Sequence, residues 1–315
     1  MELTRRQFGA ALSGAGVMAA SGADAADPAP STAVFPGACD CHVHVIGPAA
    51  KYPMVANRPY TPPAASVAQL KAMHARLGIQ RTVLVQPSFY GTDNSCMMDA
   101  LAELGNSARA IAVVALNTPD ADLRAMDMKG VRGIRINLES AGNRDPKAAA
   151  AMLTAFAKKV APLNWHIQIY TVLPVIVGLT GTIADLQVPV VIDHYGMPAG
   201  GEGAGQKGLK ALLDLVHARK AYVKLSAPYR FSKAKDYTDV KAIAQSLIYT
   251  ARDRMLWASD WPHTQTIPGK KPDEVTPFST IDDAAYLRTF QSWYPDETTR
   301  KMILVDNPAK LYRFT

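Results

Sequence analysis

Arg81-Thr82-Val83-Leu84-Val85-Gln86 and Val188-Pro189-Val190-Val191-Ile192-Asp193 are short, almost continuous apolar segments that each end on a polar residue. Segments of this kind are typical of parallel β-strands that are buried on both faces of a sheet. Helical patterns separate these two segments from similar ones before and after them, so the chain alternates between strand and helix. This alternation predicts an α/β fold built from βα units around a parallel sheet.

Eight such segments predict a (β/α)8 TIM barrel, in which the loops after the strands form the active-site face. The predicted strands are residues 38–45, 81–86, 110–115, 131–137, 166–170, 188–193, 221–225 and 256–259. Helical patterns include residues 66–77, 147–160, 208–219 and 240–250, and a helical tail is predicted over 281–312.

The length and composition fit one large domain. The chain has 315 residues, of which 48% are hydrophobic and 19% charged, which is ordinary for a protein with a substantial core. The formal charge of +7 is spread along the chain without a long basic run, which weakens a nucleic-acid-binding interpretation. A diffuse positive charge modestly favours an acidic substrate, although solubility alone would also explain it.

The first residues have the pattern of an export signal. Thr4-Arg5-Arg6-Gln7-Phe8 is a twin-arginine motif, and it is followed by a weakly apolar run and by the small-x-small site Ala23-Asp24-Ala25. We expect a signal peptide over residues 1–26, a linker over 27–36, a single domain over 37–315, and a periplasmic protein without stable membrane insertion. A frayed cytoplasmic N-terminus is the alternative. The three cysteines imply no disulfide framework.

The first predicted strand contains Asp40-Cys41-His42-Val43-His44. Because side chains alternate along a strand, Asp40, His42 and His44 are predicted to share one face and to bring two imidazoles into one pocket. An HxH pair alone is weak evidence of function, since structural histidines are common.

Other polar residues follow later strands and strengthen this interpretation. His194, Arg135, Arg230 and Asp260 all lie at or just beyond predicted carboxyl ends of strands. Several titratable groups on one rim are costly to desolvate and are rarely kept for packing alone. We interpret three further histidines, two in helical patterns and one near a strand start, as structural: His74, His217 and His166.

These motifs together resemble the 2-pyrone-4,6-dicarboxylate lactonases and their relatives, the lactone-acting branch of the amidohydrolase superfamily. The resemblance also includes 4-sulfomuconolactone hydrolases and enzymes that act on sugar-acid lactones. HxH near the start and Ser259-Asp260-Trp261-Pro262-His263 near the end are specific for the superfamily, and Gly91-Thr92-Asp93-Asn94 with Gly133-Ile134-Arg135 narrows it to the branch.

The resemblance implies a role for each site residue. Asp260 would take a proton from water and return it to the leaving oxygen. His42, His44 and His194 would polarise the lactone carbonyl and stabilise the oxyanion, and Arg135 and Arg230 would hold anionic substituents. The remaining predicted substrate-binding residues are Tyr60, Ser88, Tyr170 and His263.

Plainer roles remain open for three of these residues. Arg135 could close a structural ion pair in the barrel. The side chain of Tyr170 could fill a barrel layer. His263 could brace Asp260 instead of contacting substrate.

The sequence leaves open whether the site needs no cofactor or one divalent metal. His42, His44 and Asp260 supply three ligands suited to Zn²⁺ or Mn²⁺. Metal-dependent members of the superfamily usually add a histidine on strand five, where this chain offers Gln168 or Tyr170. This departure favours a weakly held or absent ion.

The predicted function is hydrolysis of a small anionic lactone in aromatic-compound catabolism. The lactonases that the chain resembles carry a further arginine after the Gly-Ile-Arg strand, whereas this loop has Glu139 with Arg144 displaced. The difference favours a 4-sulfomuconolactone type of substrate over a planar 2-pyrone-4,6-dicarboxylate type. The alternatives are a sugar-acid lactone hydrolase or isomerase and a non-catalytic periplasmic binding protein. Whether the protein is a monomer or a dimer stays open.

Overall fold

Eight parallel strands pair in chain order from β1 to β8. The computed structural model describes residues 34–142, 144–294 and 296–315, so the predicted signal peptide and most of the predicted linker lie outside the described residues. The strands are β1 Cys39–Val43, β2 Arg81–Val85, β3 Ala108–Ala112, β4 Val131–Asn137, β5 His166–Tyr170, β6 Val190–Ile192, β7 Ala221–Leu225 and β8 Met255–Trp257. The predicted (β/α)8 barrel is confirmed.

At least one helix follows every strand. The helices are α1 Val67–Leu77, α2 Ser95–Leu104, α3 Asp120–Met128, α4 Pro146–Val160, α5 Leu173–Asp185, α6 Leu209–His217, α7 Thr238–Ala251, α8 Asp283–Trp293, α9 Glu297–Lys301 and α10 Asn307–Tyr312. A π-helical turn joins α9 to α10, so the predicted tail is confirmed as several short helices. None of the helices in the described ranges has the length and apolar character that crossing a membrane requires.

The boundary of the third strand was predicted wrongly. It was placed at residues 110–115, but β3 runs over Ala108–Ala112. The reason is Arg109, a charged residue that is nevertheless largely buried at the bottom of the barrel. Its guanidinium lies 4.5 Å from the ring centroid of Phe314, so a cation–π contact replaces part of its hydration.

The seam between β8 and β1 is bridged by residues that flank the predicted site. The amide of Asp260 donates to the carbonyl of His42 at 3.0 Å, and the amide of His44 donates to the carbonyl of Trp261 at 2.9 Å. The carboxylate of Asp40 accepts from the amide of Ser259 at 2.9 Å. These bonds fix the histidine strand against the loop that carries Asp260.

A β-bulge in β1 corrects the predicted orientation of Asp40. Asp40 pairs with Thr82, whereas Val43 pairs with Leu84, so β1 contains one more residue than β2 between these pairs. Cys41 belongs to the apolar cluster inside the barrel, and the residue after it, His42, also faces inward, toward Asp193 and Lys224. Asp40 instead faces His74 on α1, at 3.3 Å, and does not join the two histidines.

The interior of the barrel is closed at its lower end by the C-terminal residues. Tyr312 and Phe314 pack with inward-facing side chains of β1, β2, β3, β6, β7 and β8. The ring of His166 lies over Gly133, where an added Cβ would come within 2.7 Å of the His166 carbonyl oxygen. The three cysteines of the sequence are free and buried. This packing leaves the upper mouth as the open end of the barrel.

Candidate active site

A cavity of about 290 Å³ opens at the carboxyl ends of the strands. Among the residues predicted for the site, those that line the cavity are His44, Tyr60, Ser88, Arg135, Tyr170, His194, Arg230 and Asp260. The lining is completed by Pro59, Pro87, Asn137, Glu139, Ser140, Thr264, Gln265 and Thr266. The structure therefore brings nearly all of the predicted residues together at one mouth.

Asp260 lies at the centre of the histidines. Its Oδ1 is 3.6 Å from Nε2 of His42, 3.9 Å from Nε2 of His44 and 3.9 Å from Nε2 of His194. The carboxylate is buried, and Oδ1 has no hydrogen-bond partner within the described part of the chain. The backbone of Asp260 has a φ of 69°, an uncommon conformation for a residue with a side chain. Strain of this kind is characteristic of functional sites.

The second oxygen of Asp260 is held by donors from one loop. Oδ2 accepts from the hydroxyl of Tyr229 at 2.7 Å and from Nε of Arg230 at 2.8 Å. Burial by itself raises the pKa of Asp260, but the positive charge of Arg230 is the largest opposing cause and, with the histidine rings acting in the same direction, holds that pKa well below its usual range. Asp260 is therefore ionised at neutral pH, as a general base requires.

The imidazoles of His44 and His194 are neutral, and each ring is oriented by a contact at Nδ1, while Nε2 faces Asp260. Nδ1 of His44 lies 2.7 Å from the carbonyl oxygen of Val85, which can only accept, so His44 carries its proton on Nδ1 and leaves Nε2 as an acceptor. Nδ1 of His194 lies 2.8 Å from Oγ of Ser226. Burial is the main cause that lowers the pKa of both histidines to about 4.

His42 lies just behind the cavity lining and belongs to a buried polar group. Its Nδ1 is 3.3 Å from Oδ1 of Asp193 and 3.3 Å from Nζ of Lys224. Gln168 connects the two, since its Nε2 donates to Asp193 at 3.0 Å and its Oε1 accepts from Lys224 at 2.6 Å. Burial and the charge of Lys224 lower the pKa of His42 well below its ordinary value.

The two predicted arginines differ in how they are held. Arg135 is buried, with Nε 3.7 Å from Oδ2 of Asp193 and its guanidinium 5.5 Å from the ring of Tyr170. Arg230 donates to the carbonyl of Thr264 at 3.1 Å in addition to Asp260. Both side chains nevertheless reach the cavity, so the structural ion pair considered for Arg135 coexists with access to a ligand.

Glu139 introduces a negative charge into the cavity wall. Its Oε1 accepts from Arg144 at 2.7 Å, while its Oε2 is buried and has no hydrogen-bond partner within the described residues. Arg144 itself is mostly exposed and does not line the cavity. The loop in which the resembled lactonases carry a further arginine thus contributes a carboxylate to the cavity wall.

The remaining histidines lie away from the cavity. His263 is not part of its lining; Nε2 lies 3.2 Å from Oδ2 of Asp283, and the ring packs against Tyr229. Because Tyr229 donates to Asp260, this position agrees with the bracing role considered for His263 and gives no contact with the cavity. His166 lies lower in the barrel, and His217 is exposed at the end of α6. Both agree with the structural interpretation, as does His74 beside Asp40.

The comparisons with known proteins identify the family of the chain. Residues 39–314 match the family model described as amidohydrolase. The chain belongs to the amidohydrolase family. It is 34% identical to 4-sulfomuconolactone hydrolase of Rhizobium radiobacter, over 90% of this chain and 92% of the relative. It is 33% identical to 2-pyrone-4,6-dicarboxylate hydrolase of Comamonas testosteroni, over 88% and 90%.

The structural comparison points to the same group. A crystal structure from Pseudomonas putida, described as a 2-pyrone-4,6-dicarboxylic acid hydrolase, superimposes with a TM-score of 0.76 at 27% identity, covering 89% of this chain and 99% of the other. The resemblance drawn from the sequence motifs is therefore confirmed at the level of the family and its lactone-acting branch.

Four site residues of this amidohydrolase were not assigned from the sequence. Lys224 alternates with Tyr222 on the inward face of β7, so a lysine inside an apolar strand was the available signal. Asp193 precedes His194 directly but was given no role. Gln168 was considered only as a residue that stands where metal-dependent members of the superfamily usually have a histidine. Tyr229 adjoins Arg230, but nothing in the sequence indicated that its hydroxyl reaches Asp260.

The positions of the candidate ligand atoms suit a divalent metal, but the hydrogen bonding of His42 does not. The ligand atoms of His42, His44 and Asp260 lie within 4.8 Å of one another, which suits Zn²⁺ or Mn²⁺. A metal-binding histidine, however, must offer a lone pair at the coordinating nitrogen. The contact between Lys224 and Nδ1 of His42 opposes this requirement, because an ammonium that donates to Nδ1 leaves the imidazole proton on Nε2. The donor set therefore does not fit a metal in this arrangement.

Proposed function

We propose that this amidohydrolase hydrolyses a small anionic lactone, with Asp260 as the general base. The observation that carries the proposal is the position of the Asp260 carboxylate: Oδ1 faces the Nε2 atoms of three histidines within 3.9 Å, in a cavity that two arginines enter. The names of the similar curated proteins, both lactone-opening hydrolases, support the same class of reaction. An ester hydrolase is the enzyme class that fits both.

The reaction follows from the charges in the cavity. Asp260 accepts a proton from water, and the resulting hydroxide adds to the ring carbonyl carbon. Nε2 of His44 accepts a hydrogen bond from the other hydrogen of the attacking water. His42 and His194 stabilise the oxyanion that develops on the carbonyl oxygen. The ring C–O bond then breaks, and Asp260 returns its proton to the leaving oxygen. The product is an open-chain acid, in which the released oxygen is an alcohol for a saturated lactone and an enol, which tautomerises to a ketone, for a pyrone.

Arg135 and Arg230 give the substrate its required charge. Each presents a guanidinium to the cavity, where a paired hydrogen bond to a carboxylate or sulfonate is strong. We propose a substrate of the 4-sulfomuconolactone or 2-pyrone-4,6-dicarboxylate type, within aromatic-compound catabolism. Tyr60, Ser88 and Tyr170 line the same cavity and would orient the ring.

The test is the Asp260→Asn variant against a panel of anionic lactones. Loss of a general base should lower kcat by about 100- to 10,000-fold while ligand binding persists. Asp99→Asn provides the matched control, because Asp99 forms an exposed ion pair with Lys51 far from the cavity. Near wild-type turnover of every lactone by the Asp260 variant would refute the mechanism.

Product analysis separates the competing functions. NMR of the product distinguishes a ring-opened acid from an isomerised lactone. Calorimetry that detects tight ligand binding without any product would instead identify a binding protein.

We also propose that the protein is exported to the periplasm by the twin-arginine route. The support is the motif Thr4-Arg5-Arg6-Gln7-Phe8 and the small-residue site near Ala25. Replacing Arg5 and Arg6 by lysine should retain the protein in the cytoplasmic fraction. Equal periplasmic recovery of both forms would exclude this route.

A further inference from the structure

Lys224 is a fully buried lysine whose ammonium group lies beneath the candidate site. Its Nζ is 2.6 Å from Oε1 of Gln168, 3.3 Å from Nδ1 of His42 and 3.5 Å from Oδ1 of Asp193. An ammonium group has three protons and no lone pair, so Lys224 can donate to Gln168 and to His42 while it faces Asp193 as an ion pair. A fully buried cation is costly unless its protons are used in this way.

The neighbours of Lys224 fix the direction of each hydrogen bond. Gln168 donates through Nε2 to Asp193 at 3.0 Å, so its Oε1 is the atom left to accept from Lys224. Oδ1 of Asp193 lies 3.5 Å from Nζ of Lys224, and both side chains are fully buried, so the two groups form a buried ion pair. Burial lowers the pKa of Lys224, and the carboxylate of Asp193 opposes this effect. As the cation of the ion pair with Asp193, Lys224 is an ammonium, which can only donate to His42.

The alternative, in which Nδ1 of His42 donates to Asp193 instead of accepting from Lys224, has poorer geometry. Oδ1 of Asp193 is as close to Nδ1 of His42 as Lys224 is, at 3.3 Å. That oxygen nevertheless accepts no hydrogen bond within the described residues. The lysine contact does meet the requirements of a hydrogen bond. Nδ1 of His42 is therefore the acceptor of this pair.

We infer that Lys224 is a positioning residue that holds His42 in the tautomer protonated on Nε2. In this tautomer His42 directs an N–H group toward the cavity, where Nε2 has no partner within the described residues and lies 3.6 Å from Asp260. His44 has the opposite tautomer, because its Nδ1 donates to Val85. One histidine of the HxH pair thus donates and the other accepts.

The opposite tautomers assign different tasks to the two histidines. The donor His42 suits the developing oxyanion, and the acceptor His44 suits the attacking water. The same arrangement removes His42 from the ligand set that could hold a divalent metal. The catalytic role of Lys224 rests on the proposed lactone hydrolysis, whereas the tautomer of His42 does not.

The tautomer can be measured directly by nitrogen NMR. The full chain is labelled with ¹⁵N at histidine, and the His42 signals are assigned by comparison with His42→Gln. We expect Nδ1 of His42 in the range of an unprotonated imidazole nitrogen and Nε2 in the range of a protonated one at neutral pH. A wild-type protein with the proton on Nδ1 of His42 would overturn the inference, and this measurement needs no variant at Lys224.

Lys224→Met removes the donor while keeping an apolar side chain of similar length. His42 should then move its proton to Nδ1 and donate to Asp193, which exposes a lone pair at Nε2. Calorimetric titration with Zn²⁺ alone should show binding about 10- to 100-fold tighter than in the wild type. Equal Zn²⁺ affinity, or an unchanged tautomer in the variant, would overturn the inference.

Arg109→Met is the matched control, because it removes another largely buried cation, at the lower end of the barrel near Phe314. It should change neither the His42 tautomer nor the Zn²⁺ affinity. In lactone turnover, Lys224→Met should lower kcat by about 100- to 1,000-fold with little change in KM, as for loss of an oxyanion donor. If the tautomers behave as expected but the wild type opens no lactone, the proposed function fails and the role of Lys224 in orienting His42 stands.

Discussion

Arg230 binds the carboxylate of Asp260, with Nη2 2.6 Å and Nε 2.8 Å from Oδ2. The guanidinium proposed for the substrate anion is therefore also the main cation that stabilises the general base. An anion that binds Arg230 adds negative charge beside Asp260. We expect substrate binding to raise the pKa of Asp260 and to make it a better proton acceptor.

Arg230→Gln should change both the rate and its pH dependence. Loss of the charged hydrogen bonds to substrate should lower kcat/KM by about 10- to 100-fold. Because Arg230 lowers the pKa of Asp260, its removal should move the acid limb of the kcat/KM profile to higher pH. Arg288→Gln, at an exposed position, serves as the control. An acid limb at the same pH in the variant and the wild type would show that Arg230 does not lower the pKa of Asp260.

Glu139→Gln should broaden the range of substrate charges. The Glu139 carboxylate lines the cavity and repels a second anionic substituent, so its neutralisation should raise kcat/KM for dianionic lactones by about tenfold relative to monoanionic ones. Glu103→Gln is the control, since Glu103 pairs with Lys71 on the surface. An unchanged ratio between the two lactone classes would mean that Glu139 does not contact substrate.

Asp40→Asn should destabilise the barrel more than it affects the chemistry. Asp40 is buried, accepts from the amide of Ser259 and faces His74, so it fastens β1 to the end of β8. We expect a loss of about 3 kcal/mol in the free energy of unfolding, measured by urea titration. Asp99→Asn, in an exposed pair with Lys51, should change it by less than about 0.5 kcal/mol. A similarly small effect for both variants would contradict the role of Asp40 in fastening β1 to the end of β8.

Mild acid should weaken the fold through the site histidines. The pKa values of His44 and His194 are about 4 in the folded protein, against 6.5 for the unperturbed group. The unfolded state therefore binds protons first as the pH falls, so stability is lost between pH 6.5 and pH 4. When the pH is lowered from about 7 to about 5, each histidine should reduce the free energy of unfolding by on the order of 2 kcal/mol.

This dependence can be measured by urea titration at the two pH values, above the range in which most carboxylates titrate. His194→Gln should reduce the difference between them. Equal unfolding free energies at both values would show that the histidines are not neutral in the folded state.

The strand pattern and the order of the polar motifs predicted the barrel and most of its rim. The ends of the strands predicted the positions of Arg135, Tyr170 and Asp260 at the rim, because the carboxyl ends of parallel strands meet at one mouth of a barrel. The period of two that was expected along β1 failed for Asp40, because the bulge in β1 inserts a residue and reverses the alternation. No local pattern in Asp40-Cys41-His42-Val43-His44 marks that bulge.

By itself the sequence determined a parallel barrel and the chemical types of residue at its mouth, because apolar periodicity and strand ends are local properties of the chain. Only the tertiary structure decided that Lys224 meets His42 and that Arg230 binds Asp260. Such pairs depend on the register of strands across the barrel and on the paths of loops. Those are set by the packing of the whole chain, so residues far apart in sequence fix the proton positions that the site uses.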